Sequence, residues 1–177
     1  MAKPHRVGKR IAAILVVVCG TIFVLRTLTG PPHDEEISNT FERNRQTFET
    51  LRDMMLADNG IAAVMKSGVE RPNEIGTLTP PTPEITTARY EKYKGLLDLV
   101  DGINVSQMVG RDQLVCVLLW RAGLGDSIHV SICWIPRETI SEMNRIESKM
   151  HAEGRAAPRH KFSYHSISDD WYISKDF

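Results

Sequence analysis

The segment Gln113–Ile135, QLVCVLLWRAGLGDSIHVSICWI, decides the fold class. Two runs, Gln113–Arg121 and Ile128–Ile135, are rich in β-branched and aromatic residues and flank a turn-forming AGLGDS. With Leu124-Gly125 at the centre of the turn, residues whose numbers sum to 249 stand opposite one another. Alternation then puts Val115, Val117, Leu119, Ile128, Val130, Ile132 and Trp134 on one face, a core face. The other face carries Leu114, Cys116, Leu118, Trp120, His129, Ser131, Cys133 and Ile135. It is too apolar to meet only water, so a helix is expected over part of it. In this register Trp120 faces His129 and Cys116 faces Cys133. The cysteine pair can form a bridge in an oxidising compartment or remain two small buried apolar residues.

Downstream, Pro136 ends the hairpin. Ile140, Met143, Ile146 and Met150 form a thin helical stripe over Glu138–Glu153, and FSYHSISDDWYISKDF reads as a second hairpin turning at Ser168-Asp169-Asp170. Upstream, Asp34-Glu35-Glu36 opens a helix whose apolar face is Ile37, Phe41, Phe48, Leu51 and Met55, with Gly60 as its stop. A short strand fits Ile61–Met65, and the prolines of Arg71–Pro83 mark a loop. Thr82 can cap a second helix, with Pro83 in its first turn and Ile85, Tyr93, Leu96, Leu97 and Val100 on its buried face, ending at Gly102. Helices first and strands later predict an α+β domain with an antiparallel sheet over 34–177.

Ahead of this domain the chain reads as a basic arm (1–10), a transmembrane helix (11–28) and a linker (29–33). Ile11–Leu28 would be about 27 Å of helix at ~1.5 Å per residue, against a hydrocarbon core of about 30 Å. Lys9, Arg10 and Arg26 sit at its ends, where their stems reach the headgroups, and Pro31-Pro32 stops the helix. Four Lys/Arg precede the span, which keeps the N-terminus cytoplasmic and places 34–177 in the periplasm of a bacterial inner-membrane, single-pass protein. Two other readings give a secreted or a lipid-anchored envelope protein. A cleaved signal lacks a good small-residue site, and a lipid on Cys19 would follow three valines where a small residue is expected.

The phrases FERNRQTFETLRDMM (Phe41–Met55) and YHSISDDWYI (Tyr164–Ile173) resemble a set of small bacterial membrane-anchored or lipoprotein-like proteins with an early amphipathic helix and a terminal Trp-Tyr-apolar hairpin. The resemblance implies an envelope setting and no catalytic role. In this chain the terminal turn is Asp169-Asp170, where a glycine is more usual.

All 22 Asp/Glu follow Arg26, whereas five of the 22 Lys/Arg lie at or before it, so the domain carries a net charge of −5. That balance argues against nucleic acid as a partner. Phosphate loops, nucleophile elbows and zinc-protease motifs are missing from the sequence. The six histidines show no ligand spacing, so neither a metal nor a cofactor is expected. Asp169-Asp170 reads as turn chemistry rather than an acid/base pair, and Asn104-Val105-Ser106 fits a glycosylation acceptor only in a eukaryotic secretory pathway. The expected role is a non-catalytic, membrane-tethered module that binds a protein partner, including an immunity-type protein, with Trp120 and His129 as the candidate contact. The alternative is a small envelope hydrolase with His129 or His165 as base.

Overall fold

The computed structural model describes residues 30–58, 60–72, 85–108, 114–122, 128–143 and 162–176. The expected transmembrane helix, 11–28, lies outside the described residues, as do the expected cap Thr82-Pro83 and most of the helix expected over Glu138–Glu153. Among the described residues no helix is long and apolar enough to cross a membrane.

The domain is α+β. Helix α1 (Asp34–Ala57) is followed by strands β1 (Ala63–Met65) and β2 (Gly68–Glu70), helix α2 (Thr87–Leu99), then β3 (Asn104–Met108), β4 (Leu114–Ala122), β5 (Ile128–Trp134), β6 (Phe162–Ser168) and β7 (Trp171–Asp176). A further helical stretch covers 137–143. The seven strands form one sheet in the order β2-β1-β3-β4-β5-β7-β6, each pair antiparallel.

Both helices bury their apolar stripes on one face of this sheet. α1 lies across β3, β4, β5 and β7, and α2 packs beside it and against β1. Ile37, Phe41, Phe48, Leu51, Met54 and Met55 of α1 meet Val115, Val117, Val130, Ile132, Trp171 and Ile173 of the sheet. Phe41, Phe48 and Trp171 pack ring to ring, with centroids 5.2 to 6.1 Å apart, in tilted and edge-on geometries that aromatic quadrupoles favour. The Arg52 guanidinium lies over Trp134 and Trp171, 5.5 and 5.9 Å from their centroids. α1 is bent at Asn44, whose backbone leaves helical geometry. Asn44 Nδ2 donates to the Thr40 carbonyl at 3.0 Å, the acceptor its own N–H would use, and such intrusion into the hydrogen-bond ladder bends helices.

α2 starts later than expected. Its cap is Thr86, whose side chain accepts from the Arg89 N–H at 3.2 Å. Ile85 and Tyr90, both buried, occupy the flanking places of a hydrophobic staple. The strands β2 and β3 were not expected. β3 sits in mid-sheet between β1 and β4, and its five residues supply only one fully buried apolar side chain, Val105.

Candidate functional site

The β4–β5 hairpin has the expected register over its first half: Val115↔Trp134, Cys116↔Cys133, Val117↔Ile132 and Leu118↔Ser131. Past Leu118 a bulge changes it to Trp120↔Val130, Arg121↔His129 and Ala122↔Ile128. Trp120 therefore does not face His129. The extra residue in β4, Leu119, turns Trp120 onto the helix-covered face, where both side chains pack against the main core. His129 stays on the opposite face, between Arg121 of β4 and Asp176 of β7.

His165 lies on β6 at the sheet edge, exposed, opposite Ile173. Ile173 is aligned with Ile132 on the helix-covered face, three residues from His129, so the two histidines occupy opposite faces. They cannot serve one site. Trp134 and Trp171 belong to the packing under α1.

Cys116 and Cys133 are joined, with an S–S distance of 2.09 Å and Cα atoms 4.1 Å apart. The bridge lies on the face away from the helices. Cys133 is buried there with Leu114 and Ile135, and Cys116, Ile140, Tyr164 and Tyr172 pack around them. Ile140 comes from the 137–143 stretch, so a helix does cover part of this second face. Its first turn is held by the Pro136 carbonyl, which accepts from the N–H groups of Thr139 (2.9 Å) and Ile140 (3.2 Å).

Sequence reasoning missed a polar cluster where α1 ends and α2 begins. Asp58 Oδ2 accepts from Tyr93 Oη at 2.7 Å and from Arg89 Nε at 3.0 Å. Arg89 also donates to the Met54 carbonyl at 3.2 Å, in the last turn of α1, where the same carbonyl accepts from the Asp58 N–H at 3.1 Å. Gln107 Nε2 donates to the carbonyls of Asp58 (3.1 Å) and Ile61 (2.8 Å). Burial, reinforced by the hydrogen bond to Asp58, pushes the Tyr93 phenol well above its usual range. The hydrogen bond to Asp58 raises the Arg89 guanidinium, against the opposing effect of burial. Tyr93 is fully buried, so its hydroxyl cannot meet a substrate. The cluster ties the end of α1 to α2 and β3. Its components lie far apart in sequence, between Asp58 and Gln107, and carry no motif.

At the other end of the two helices stands a group of apolar side chains facing solvent. Leu99, the last residue of α2, is 65% exposed and Ile103, just before β3, is 42% exposed. The Ile103 N–H donates to the Leu118 carbonyl at 2.8 Å, which sets Ile103 beside the bulge that carries Leu119 and Trp120. Gly102 makes the connection from α2 with its N–H on the Leu97 carbonyl at 2.8 Å. Among the described residues no group of three His, Cys, Asp or Glu side chains is arranged to hold a metal ion.

No family model matches this chain, and no curated protein or solved structure matches it.

Proposed function

We propose that the chain is a non-catalytic, membrane-anchored bacterial envelope protein whose periplasmic domain binds a protein partner, in the manner of an envelope accessory or immunity-type protein. Residues 11–28 are its membrane span and its N-terminus is cytoplasmic. The observation that carries this reading is the bridge between Cys116 and Cys133. Disulfides persist in oxidising compartments such as the bacterial periplasm, and the basic arm before the apolar stretch directs the domain to that side. The fate of the polar side chains supports a binding role over a chemical one. His129 and His165 are on opposite faces, and Asp58, Arg89 and Tyr93 are engaged in holding helix ends. The net charge of −5 after Arg26 favours a basic protein partner.

The test is a reporter that is active only in the periplasm, fused after Phe177, together with N-terminal sequencing of the mature chain. The expected result is an active reporter and a chain beginning at Met1 or Ala2. A chain beginning at Cys19 would replace the span by a lipid, and an inactive reporter would refute the topology. The binding role predicts that His129→Ala and His165→Ala preserve the biological role. Loss of that role in either variant, with an unchanged melting temperature, would favour the hydrolase.

A further inference from the structure

The exposed apolar group at the end of the sheet has a position that says what covers it. Asp34, the first residue of α1, pairs with Lys175 of β7. Lys175 is aligned with Val130 of β5, and Val130 with Trp120 of β4. Strands lie about 4.8 Å apart, so Trp120 is two strands, about 10 Å, from the point where the chain enters the domain. Ile103 is roughly one strand further, beside Leu118. Leu99 and Ile103 therefore share one end of the domain with the entry of the chain at residues 30–33. Another exposed large apolar side chain, Met108, is 59% exposed at the opposite end of β3.

We infer that this end of the domain rests on the bilayer surface, with Leu99 and Ile103 entering the headgroup region and Trp120 behind them. The inference rests on the anchored reading above and deepens it. Five residues, 29–33, separate the span from α1 and reach at most about 18 Å even when fully extended. Pro31-Pro32 stiffens that connection. A domain held so close to the membrane has its entry end facing lipid, and apolar side chains with an aromatic neighbour suit the interface. The contact is apolar rather than electrostatic. Asp98 beside Leu99 is paired with Lys66 at 2.6 Å, and Asp101 follows in the connection to β3. Of the basic side chains at this end, Lys66 is paired with Asp98 and Lys175 with Asp34. The partner-binding surface then lies away from the membrane, toward the end of the sheet that carries the Asp169-Asp170 turn.

The experiment uses the full chain with Cys19→Ser, reconstituted in phosphatidylcholine vesicles. A fluorophore is placed in turn through Leu99→Cys, Ile103→Cys or Met108→Cys, without reducing the Cys116–Cys133 bridge. Phosphatidylcholine carrying a spin label near the headgroup is the quencher. Labels at 99 and 103 are expected to be quenched at least about two-fold more than the label at 108, which stands a further ~17 Å along β3. The result is expected to be unchanged in high salt or with phosphatidylglycerol added. Equal quenching at 103 and 108 in a chain that floats with the vesicles would overturn the docking and leave the anchor standing. A chain that does not float with vesicles would overturn the anchor and the docking together. A label at 103 that escapes lipid quenching but is shielded from aqueous iodide as chain density rises would assign the surface to a second copy, against this proposal.

Discussion

Reducing the Cys116–Cys133 bridge is expected to lower the melting temperature of the chain by roughly 10 °C. The two cysteines are 17 residues apart, and closing a loop of that length in the unfolded chain removes conformational entropy equivalent to about 3 kcal/mol at 25 °C. Unfolding entropy near the midpoint is about 2.1 cal/mol/K per residue, or about 0.3 kcal/mol/K for a domain of this size, and the quotient gives the shift. Substitution alone confounds this term with packing. Cys133 is buried against Leu114 and Ile135, so a serine hydroxyl there would cost further stability whether or not a bridge had been present. The cleaner design is calorimetry of the full chain in detergent, with and without a phosphine reductant, beside a Cys116→Ala control. The chain has three cysteines. Unfolded without reductant it should show one free thiol, Cys19, and after reduction all three. The control should melt at one temperature in both conditions. Three free thiols in the unreduced chain would refute the bridge. A confirmed bridge whose reduction moves the midpoint by less than about 2 °C would refute the loop-entropy reasoning instead.

The remaining expectations concern the core and the polar cluster. Phe48→Ala should cost about 3–5 kcal/mol in denaturant unfolding, because the ring is fully buried between Phe41 and Trp171. Gly102→Ala should cost about 1–3 kcal/mol in the same assay, since a Cβ would stand 2.8 Å from Leu97 Cδ2 and 3.3 Å from Val117 Cγ1. Asp58→Ala, which removes the acceptor of both Tyr93 and Arg89, should cost about 2–3 kcal/mol, and Tyr93→Phe about 1 kcal/mol. The raised phenol of Tyr93 also fixes the sign of a pH effect. The folded chain keeps that proton while the unfolded chain loses it above about pH 10, so this contribution is complete below that pH and declines above it. Denaturant midpoints measured at about pH 9 and about pH 11 should fall for the native chain and fall less for Tyr93→Phe.

Periodicity carried the long elements, and local chemistry placed their ends less well. Ile37, Phe41, Phe48, Leu51 and Met55 announced α1 because a helix of 24 residues repeats its apolar stripe many times. The strand expected at Ile61–Met65 is β1, shortened to Ala63–Met65, whereas nothing comparable marks β2, and each has three residues. Too short to alternate, they are fixed by what they pair with: β1 by β3, and β2 by β1. In β3 the order Asn-Val-Ser-Gln-Met gives a single strong signal at Val105. Yet it completes the middle of the sheet through backbone pairing that side-chain patterns do not record. The cap of α2 was misplaced because Thr82 has a proline beside it, which made it a better candidate than Thr86 on local grounds. The staple of Ile85 with Tyr90 favours Thr86, and it depends on the core that both residues enter. The cluster of Asp58, Arg89 and Tyr93 had no signal at all, since its geometry exists only once α1 and α2 are antiparallel.

The hairpin that decided the fold also shows how far such a reading reaches. One assumed turn centre correctly aligned four pairs, including the two cysteines, and then failed at Leu119. Alternation required Leu119 and Trp120 to point to opposite faces. The core on the helix side takes both, and a bulge is the backbone's means of giving two successive side chains to one face. Inserting one residue reverses every later position of β4 relative to the assumed register, which is why Arg121 rather than Trp120 stands opposite His129. The same insertion leaves an apolar margin beside Ile103, at the end of the domain where the chain enters. Had β4 kept its alternation, Trp120 would lie beside His129 on the second face, and the apolar margin at Ile103 would lose its aromatic member. The proposed contact with the bilayer thus depends on one residue of register, which the hydrophobic pattern of Leu118-Leu119-Trp120 permits but does not specify.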